Sequence, residues 1–136
     1  MTDLSKLRVL VVDDNPVDRL MIKTLLETIG VVNIQEAENG NIALFKYKNA
    51  ETMKKQFHMI ISDWRMPSQD GLSILKNIRT ESKNTKIGII IATSLNDHNH
   101  IQKAVIEGVD DFIIKPVDPA IFAEKVKNLA KKVNPL

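Results

Sequence analysis

Five short apolar runs, LRVLVV, VVNI, HMIIS, IGIIIA and FII, are separated by longer segments of helical period. Few folds accept such alternation, because successive strands joined by helical crossovers lie parallel and need cover on both faces. The runs at 7–12, 58–62 and 87–92 are almost continuously aliphatic, as doubly covered strands are, and are expected at the centre of the sheet. The expected architecture is α/β, a doubly wound five-stranded parallel sheet with five helices, occupying residues 1–136 as one domain.

Helix boundaries are written most clearly at the two ends of the chain. Asn15 before Pro16, and Asp118 before Pro119, each place a side-chain acceptor at the cap and a proline at the first helical position. The first helix is expected to use Val17, Leu20, Met21, Leu25 and Ile29 as its inward stripe and to stop at Gly30. The last is expected to turn Phe122, Val126, Leu129 and Val133 inward, and three more helices are expected over 42–48, 72–79 and 99–107, with Gly108 closing the third of these.

Composition narrows the functions open to such a fold. Nineteen Lys and Arg against 17 Asp and Glu give a formal charge of +2, too small to mark a nucleic-acid surface. The absence of cysteine excludes disulfides, thiolate metal sites and thiol catalysis. The start MTDLSKLR lacks the apolar core of a signal peptide and no aliphatic stretch approaches the roughly 20 residues of a membrane span, so the cytoplasm is the expected compartment.

Doubly wound sheets bind ligands beyond the carboxyl ends of their strands. There the sequence places Asp13 and Asp14 after the first strand, Asp63 after the third, Thr93 and Ser94 after the fourth, and Lys115 with Pro116 after the fifth. Taken singly, each has an ordinary explanation as a cap, a loop hydroxyl or a solvated lysine. Together they do not, because close carboxylates repel by about 4 kcal/mol per pair at ~4 Å and an effective dielectric near 20. A hard divalent cation with oxygen ligands, Mg2+, fits this set better than zinc, and the three histidines, His58, His98 and His100, do not form a metal set. An acidic nucleophile, Mg2+, a lysine and a hydroxyl make the electrostatic cradle that in-line phosphoryl transfer to a carboxylate requires.

VVDD, DWRMPSQDG, ATS and KP, in that order, resemble the marks of the receiver domains of two-component response regulators over essentially the whole chain. The resemblance implies the strand order 2-1-3-4-5, Asp63 as phosphoacceptor, and Asp13, Asp14, Asp63 and the Arg65 backbone carbonyl around the Mg2+. It further implies that Lys115 and Thr93 contact the phosphoryl group, that Phe112 swings inward, and that the Lys115–Pro116 peptide is cis. DWRMPSQDGLSILKNIR is especially similar to the single-domain chemotaxis regulators, which implies a partner face of fourth helix, fifth strand and fifth helix carrying Ile101, Phe112 and Lys125. The implied partners are a sensor histidine kinase or phosphotransfer domain and a downstream target such as the flagellar motor switch, with no direct role for nucleic acid or membrane.

The chain departs from that pattern at Ser94, Leu95 and Arg65, and Arg65 with Leu95 is expected to hinder the attacking water and lengthen the life of the acyl phosphate. The segment KYKNAETMKKQ is longer than usual and is expected to extend the second helix. Two alternatives keep the fold but change the role: a receiver module of a larger regulator, or a phosphorelay shuttle. An aspartate-nucleophile phosphatase wants D-x-D-x-T where this chain has Asp13-Asp14-Asn15-Pro16, and flavin or nucleotide binding wants a glycine-rich loop that VVDDNPVD does not provide.

Overall fold

The computed structural model describes residues 3–64, 70–94 and 98–133, with the backbone alone for 98 and 99. Strands β1 (Arg8–Val12), β2 (Asn33–Ala37), β3 (Met59–Asp63), β4 (Gly88–Thr93) and β5 (Asp111–Ile114) form one parallel sheet in the order β2-β1-β3-β4-β5. Helices α1 (Pro16–Thr28), α2 (Gly40–Thr52), α3 (Gly71–Lys76), α4 (His98–Ile106) and α5 (Pro119–Val133) make the crossovers, and a π-helical turn, Asn77–Glu81, continues α3. The doubly wound parallel architecture expected from the alternation is the one observed, in the strand order that the receiver resemblance implied.

The two faces of the sheet carry separate cores. Leu10, Val12, Ile60, Ile89 and Ile91 meet α2 and α3 through Leu44, Tyr47, Ile74 and Leu75, while Val9, Val11, Ile61 and Ile90 meet α1 and α5 through Ile22, Leu26, Phe122 and Val126. Each buried aliphatic of this size contributes about 1.5–3 kcal/mol of transfer free energy, which makes the three central strands the rigid frame on which the carboxyl edge rests.

Both proline-marked helices start where expected. Asn15 Oδ1 accepts the Val17 and Asp18 amides at 2.9 and 3.3 Å, and Asp118 Oδ1 those of Ala120 and Ile121 at 2.8 and 3.1 Å. Gly30 (φ 103°) and Gly108 (φ 93°) end the preceding helices in the left-handed region. The second helix does extend through the KYKNAETMKKQ segment, reaching Thr52.

Two expectations need correction. The inward stripe of α1 is Ile22 and Leu26, flanked by half-buried Leu25 and Ile29, whereas Val17 (70% exposed), Leu20 (60%) and Met21 (39%) face outward. The helix carries two apolar stripes, of which Ile22 and Leu26 take the core while Arg19 reaches the ends of β1 and β2. The second strand is NIQEA and not VVNI: it pairs only with β1, so it needs no continuous aliphatic run. Val31 instead packs into the core ahead of the strand and Val32 is exposed.

His58 has a packing role at the amino edge, far from the carboxylates. Its Nδ1 accepts the Arg8 amide at 2.9 Å, and burial, followed by the Arg8 charge, holds its imidazole below the usual range of 6.5. A depressed histidine is neutral in the fold and protonated in the unfolded chain, so stability falls as pH drops below about 6.5 and recovers above it. Urea unfolding at pH 7.5 and 5.5 is expected to differ by about 1 kcal/mol through this bond. His58→Asn, which keeps an acceptor but does not titrate, is expected to lack that component.

Candidate functional site

The turn after β1 gathers charge at one point of the carboxyl edge. Asp13 is fully buried; its amide donates to the Ala37 carbonyl (3.1 Å) and its Oδ1 accepts the Asn15 amide (2.9 Å). Arg19 donates from Nη1 to the Asp13 carbonyl at 2.7 Å and from Nε to Glu36 Oε1 at 3.1 Å, fixing the end of β1 against β2 and α1. Val12 pairs with Ser62, so the next residues, Asp13 and Asp63, leave adjacent strands side by side. Asp13, Asp14 and Asp63 each offer a carboxylate oxygen within 4.8 Å of the others.

Lys115 answers this charge from the far side of β4. Its amide donates to the Thr93 carbonyl at 2.8 Å, which sets it beside the end of that strand, and the Lys115–Pro116 peptide is cis. The ammonium lies 2.8 Å from Asp13 Oδ2, 3.1 Å from Asp18 Oδ2 and 3.4 Å from Asp63 Oδ1. Burial alone pushes the lysine down, but bonding to Asp13 and the charges of Asp63 and Asp13 overcome it and leave the ammonium above its usual range. Burial pushes the Asp63 carboxyl up; Lys115 opposes this and Asp13 adds to it, with a net rise. The hard oxygen donors of this cluster suit a divalent cation.

Trp64 is buried beside the site. Its amide is shared between Asp63 Oδ1 (2.9 Å) and the Ala92 carbonyl (3.2 Å), and its ring meets that of His100 edge-on, 5.1 Å between centroids. Gly71 donates to the Trp64 carbonyl at 2.9 Å, joining the start of α3 to this strand end, and a Cβ there would stand 2.6 Å from the Asp63 carbonyl oxygen and 3.3 Å from Trp64 Cα. Backbone cannot yield as a flexible side chain does, so Gly71→Ala is expected to cost about 1–3 kcal/mol in urea unfolding and to displace Asp63.

The structure brings Asp14, Asp63, Thr93 and Lys115 to the wall of one cavity of about 500 Å3, lined also by Ser94 and by the apolar Met21, Ile22, Pro116 and Val117, with the buried Asp13 joined to it through Lys115. Thr93 is buried at the end of β4. Arg65 and Leu95 lie outside the described residues, as do the expectations for the Arg65 carbonyl at the metal and for the hindrance of water. Ile101 and Phe112 are half-buried on α4 and β5. Lys125 is no loose surface charge: Nζ donates to Asp111 Oδ1 at 3.0 Å and to the Phe112 carbonyl, tying α5 to β5. Sequence reasoning missed Asp18 and Arg19, whose only local sign is their position in the first turn of a helix that begins at the site.

A parallel sheet of this order, with an aspartate cluster and a lysine at its carboxyl edge, is the frame of a signalling receiver. Residues 9–127 match the response regulator receiver domain family, and the chain belongs to it. It is 32% identical over 127 residues to the chemotaxis protein CheY-3 of Vibrio cholerae, covering 93% of this chain and 94% of that protein. It is 34% identical over 122 residues to the chemotaxis protein CheY1 of Helicobacter pylori, covering 89% and 94%. Among solved structures, the receiver domain of the Francisella response regulator 1452 superposes with a TM-score of 0.77 at 31% identity, over 91% of this chain and 96% of that one.

Proposed function

We propose that the protein is a phosphorylation switch that accepts a phosphoryl group on Asp63 from the phosphohistidine of a sensor kinase or phosphotransfer domain. The observation that carries this reading is the Asp13, Asp14 and Asp63 trio within 4.8 Å with the Lys115 ammonium beside it. Bound at these carboxylates, Mg2+ supplies positive charge to the oxygens of the transferring phosphoryl group. Asp63 Oδ1 accepts the Trp64 amide at 2.9 Å, which holds the carboxylate in place for the attack. A new P–O bond forms there as the donor's P–N bond breaks, its electron pair leaving with the imidazole nitrogen. Lys115 neutralises the product acyl phosphate and the Thr93 hydroxyl donates to it. Water later hydrolyses the acyl phosphate, with no further enzymatic activity assigned.

The added charge of about −2 draws on Thr93 and Lys115, neighbours of β5, and changes the partner face of α4, β5 and α5 with Ile101, Phe112 and Lys125. The names of the Vibrio and Helicobacter relatives favour a chemotaxis pathway; the cytoplasm as compartment and the flagellar motor switch as target belong to the same proposal. No helix among the described residues is long and apolar enough to cross a membrane. The test is incubation with acetyl phosphate and Mg2+: intact mass is expected to rise by one phosphate and return with time. No rise at saturating Mg2+ would rule the switch out.

A further inference from the structure

Asp18 is the one carboxylate of the cavity that the receiver reading does not use. It stands in the first turn of α1, where an acid is favoured by the helix dipole, but the dipole does not account for its reaching across the cavity mouth to a lysine 97 residues away. The Lys115 ammonium donates to Asp13 Oδ2 at 2.8 Å and to Asp18 Oδ2 at 3.1 Å, while Asp63 Oδ1 is more distant at 3.4 Å. Two of its three protons are thus committed, and the outer partner, 32% exposed, lies toward solvent from the buried Asp13. A phosphoryl group arriving at Asp63 competes with these carboxylates for the ammonium, and Asp18 is the more solvated of the two. Asp18 also lines the cavity with Asp14 and Asp63, so an incoming donor meets its charge beside theirs.

We propose that Asp18 is a positioning and donor-selecting residue: it holds Lys115 at the mouth of the cavity and favours phosphoryl donors of low negative charge, such as a phosphorylated nitrogen, over dianionic acyl phosphates. This rests on Asp63 being the phosphoacceptor. The donor preference follows from charge alone, since a dianion pays the repulsion of Asp18 twice as heavily as a monoanion, and the effect is screened by salt.

The test compares phosphorylation rates of the wild type, Asp18→Asn and Asp18→Glu with acetyl phosphate, a dianion at neutral pH, and phosphoramidate, a monoanion. Asp18→Asn is expected to raise the acetyl phosphate rate relative to the phosphoramidate rate roughly threefold, with the gain shrinking in high salt and Asp18→Glu keeping the wild-type ratio. A merely structural role would move both donors equally. Magnesium affinity, read from Trp64 emission, is expected to change by less than about threefold in Asp18→Asn, since this residue is outside the carboxylate trio. A fall of about tenfold would make Asp18 part of the metal site and overturn the assignment. Uptake by the wild type with an unaltered donor ratio in Asp18→Asn overturns it alone; no uptake by the wild type from either donor overturns the receiver reading with it.

Discussion

Asp63→Asn is expected to melt above the wild type in metal-free buffer at pH 7 and to take up no phosphate. Burial, Lys115 and Asp13 together leave the Asp63 carboxyl above 3.8, so the fold holds this proton more tightly than the unfolded chain does. The associated stability is present at low pH and lost as pH rises through the folded value, leaving an ionised group that costs stability at neutrality. The amide removes that charge while keeping its shape and its contact with the Trp64 amide. A gain on the order of 1 kcal/mol, roughly 3–6 °C in a chain of this size, is the expected result. Adding Mg2+ at 100 times its Kd stabilises the wild type by about 2.7 kcal/mol and the variant much less, so the order of melting temperatures reverses. Calorimetric scans with and without Mg2+ check both halves, and a variant that melts below the wild type without metal counts against the electrostatic account.

The second large effect lies at the other edge of the sheet. Arg79, in the π-helical turn, donates to the Gly108 carbonyl (3.0 Å), the Asn84 carbonyl (3.0 Å) and Asp110 Oδ2 (2.8 Å). The same oxygen of Asp110 accepts the Ile89 amide at 2.8 Å, and its Oδ1 meets Lys132 at 2.8 Å. Arg79 and Asp110 are 10% and 11% exposed, so removing one partner strands the other's charge. Asp110→Ala is expected to lose about 3–5 kcal/mol in urea unfolding, whereas Lys132→Ala, at a lysine 72% exposed, is expected to lose less than about 1. Replacing Arg79 and Asp110 together by apolar residues is expected to restore much of the loss, which distinguishes a stranded charge from a packing defect.

What could be read from the sequence followed from which interactions are local. The aliphatic runs of β1, β3 and β4, the proline-marked caps at Asn15 and Asp118, and the left-handed Gly30 and Gly108 are set by residues near in sequence, and each appears where expected. The gathering of Asp13, Asp14 and Asp63 was legible because a doubly wound sheet puts every strand's carboxyl end on one edge. The rotation of α1 was not, since Val17, Leu20 and Met21 and the pair Ile22 and Leu26 are all apolar, and only packing against strands distant in sequence selects which of them is buried. The start of β2 was misplaced because an edge strand carries a weaker apolar pattern than the Val31-Val32 pair before it. Asp18 escaped because its partner is 97 residues distant and a first-turn acid already has a local explanation.

The most direct test of the central claim is to phosphorylate the protein with acetyl phosphate, reduce it with borohydride, which converts an acyl phosphate to the alcohol, and map the altered residue by peptide mass. Reduction at Asp63 alone, abolished by a Mg2+ chelator, is the predicted result. Reduction at Asp13 or Asp14, or labelling of Asp63 that persists without divalent metal, would contradict it.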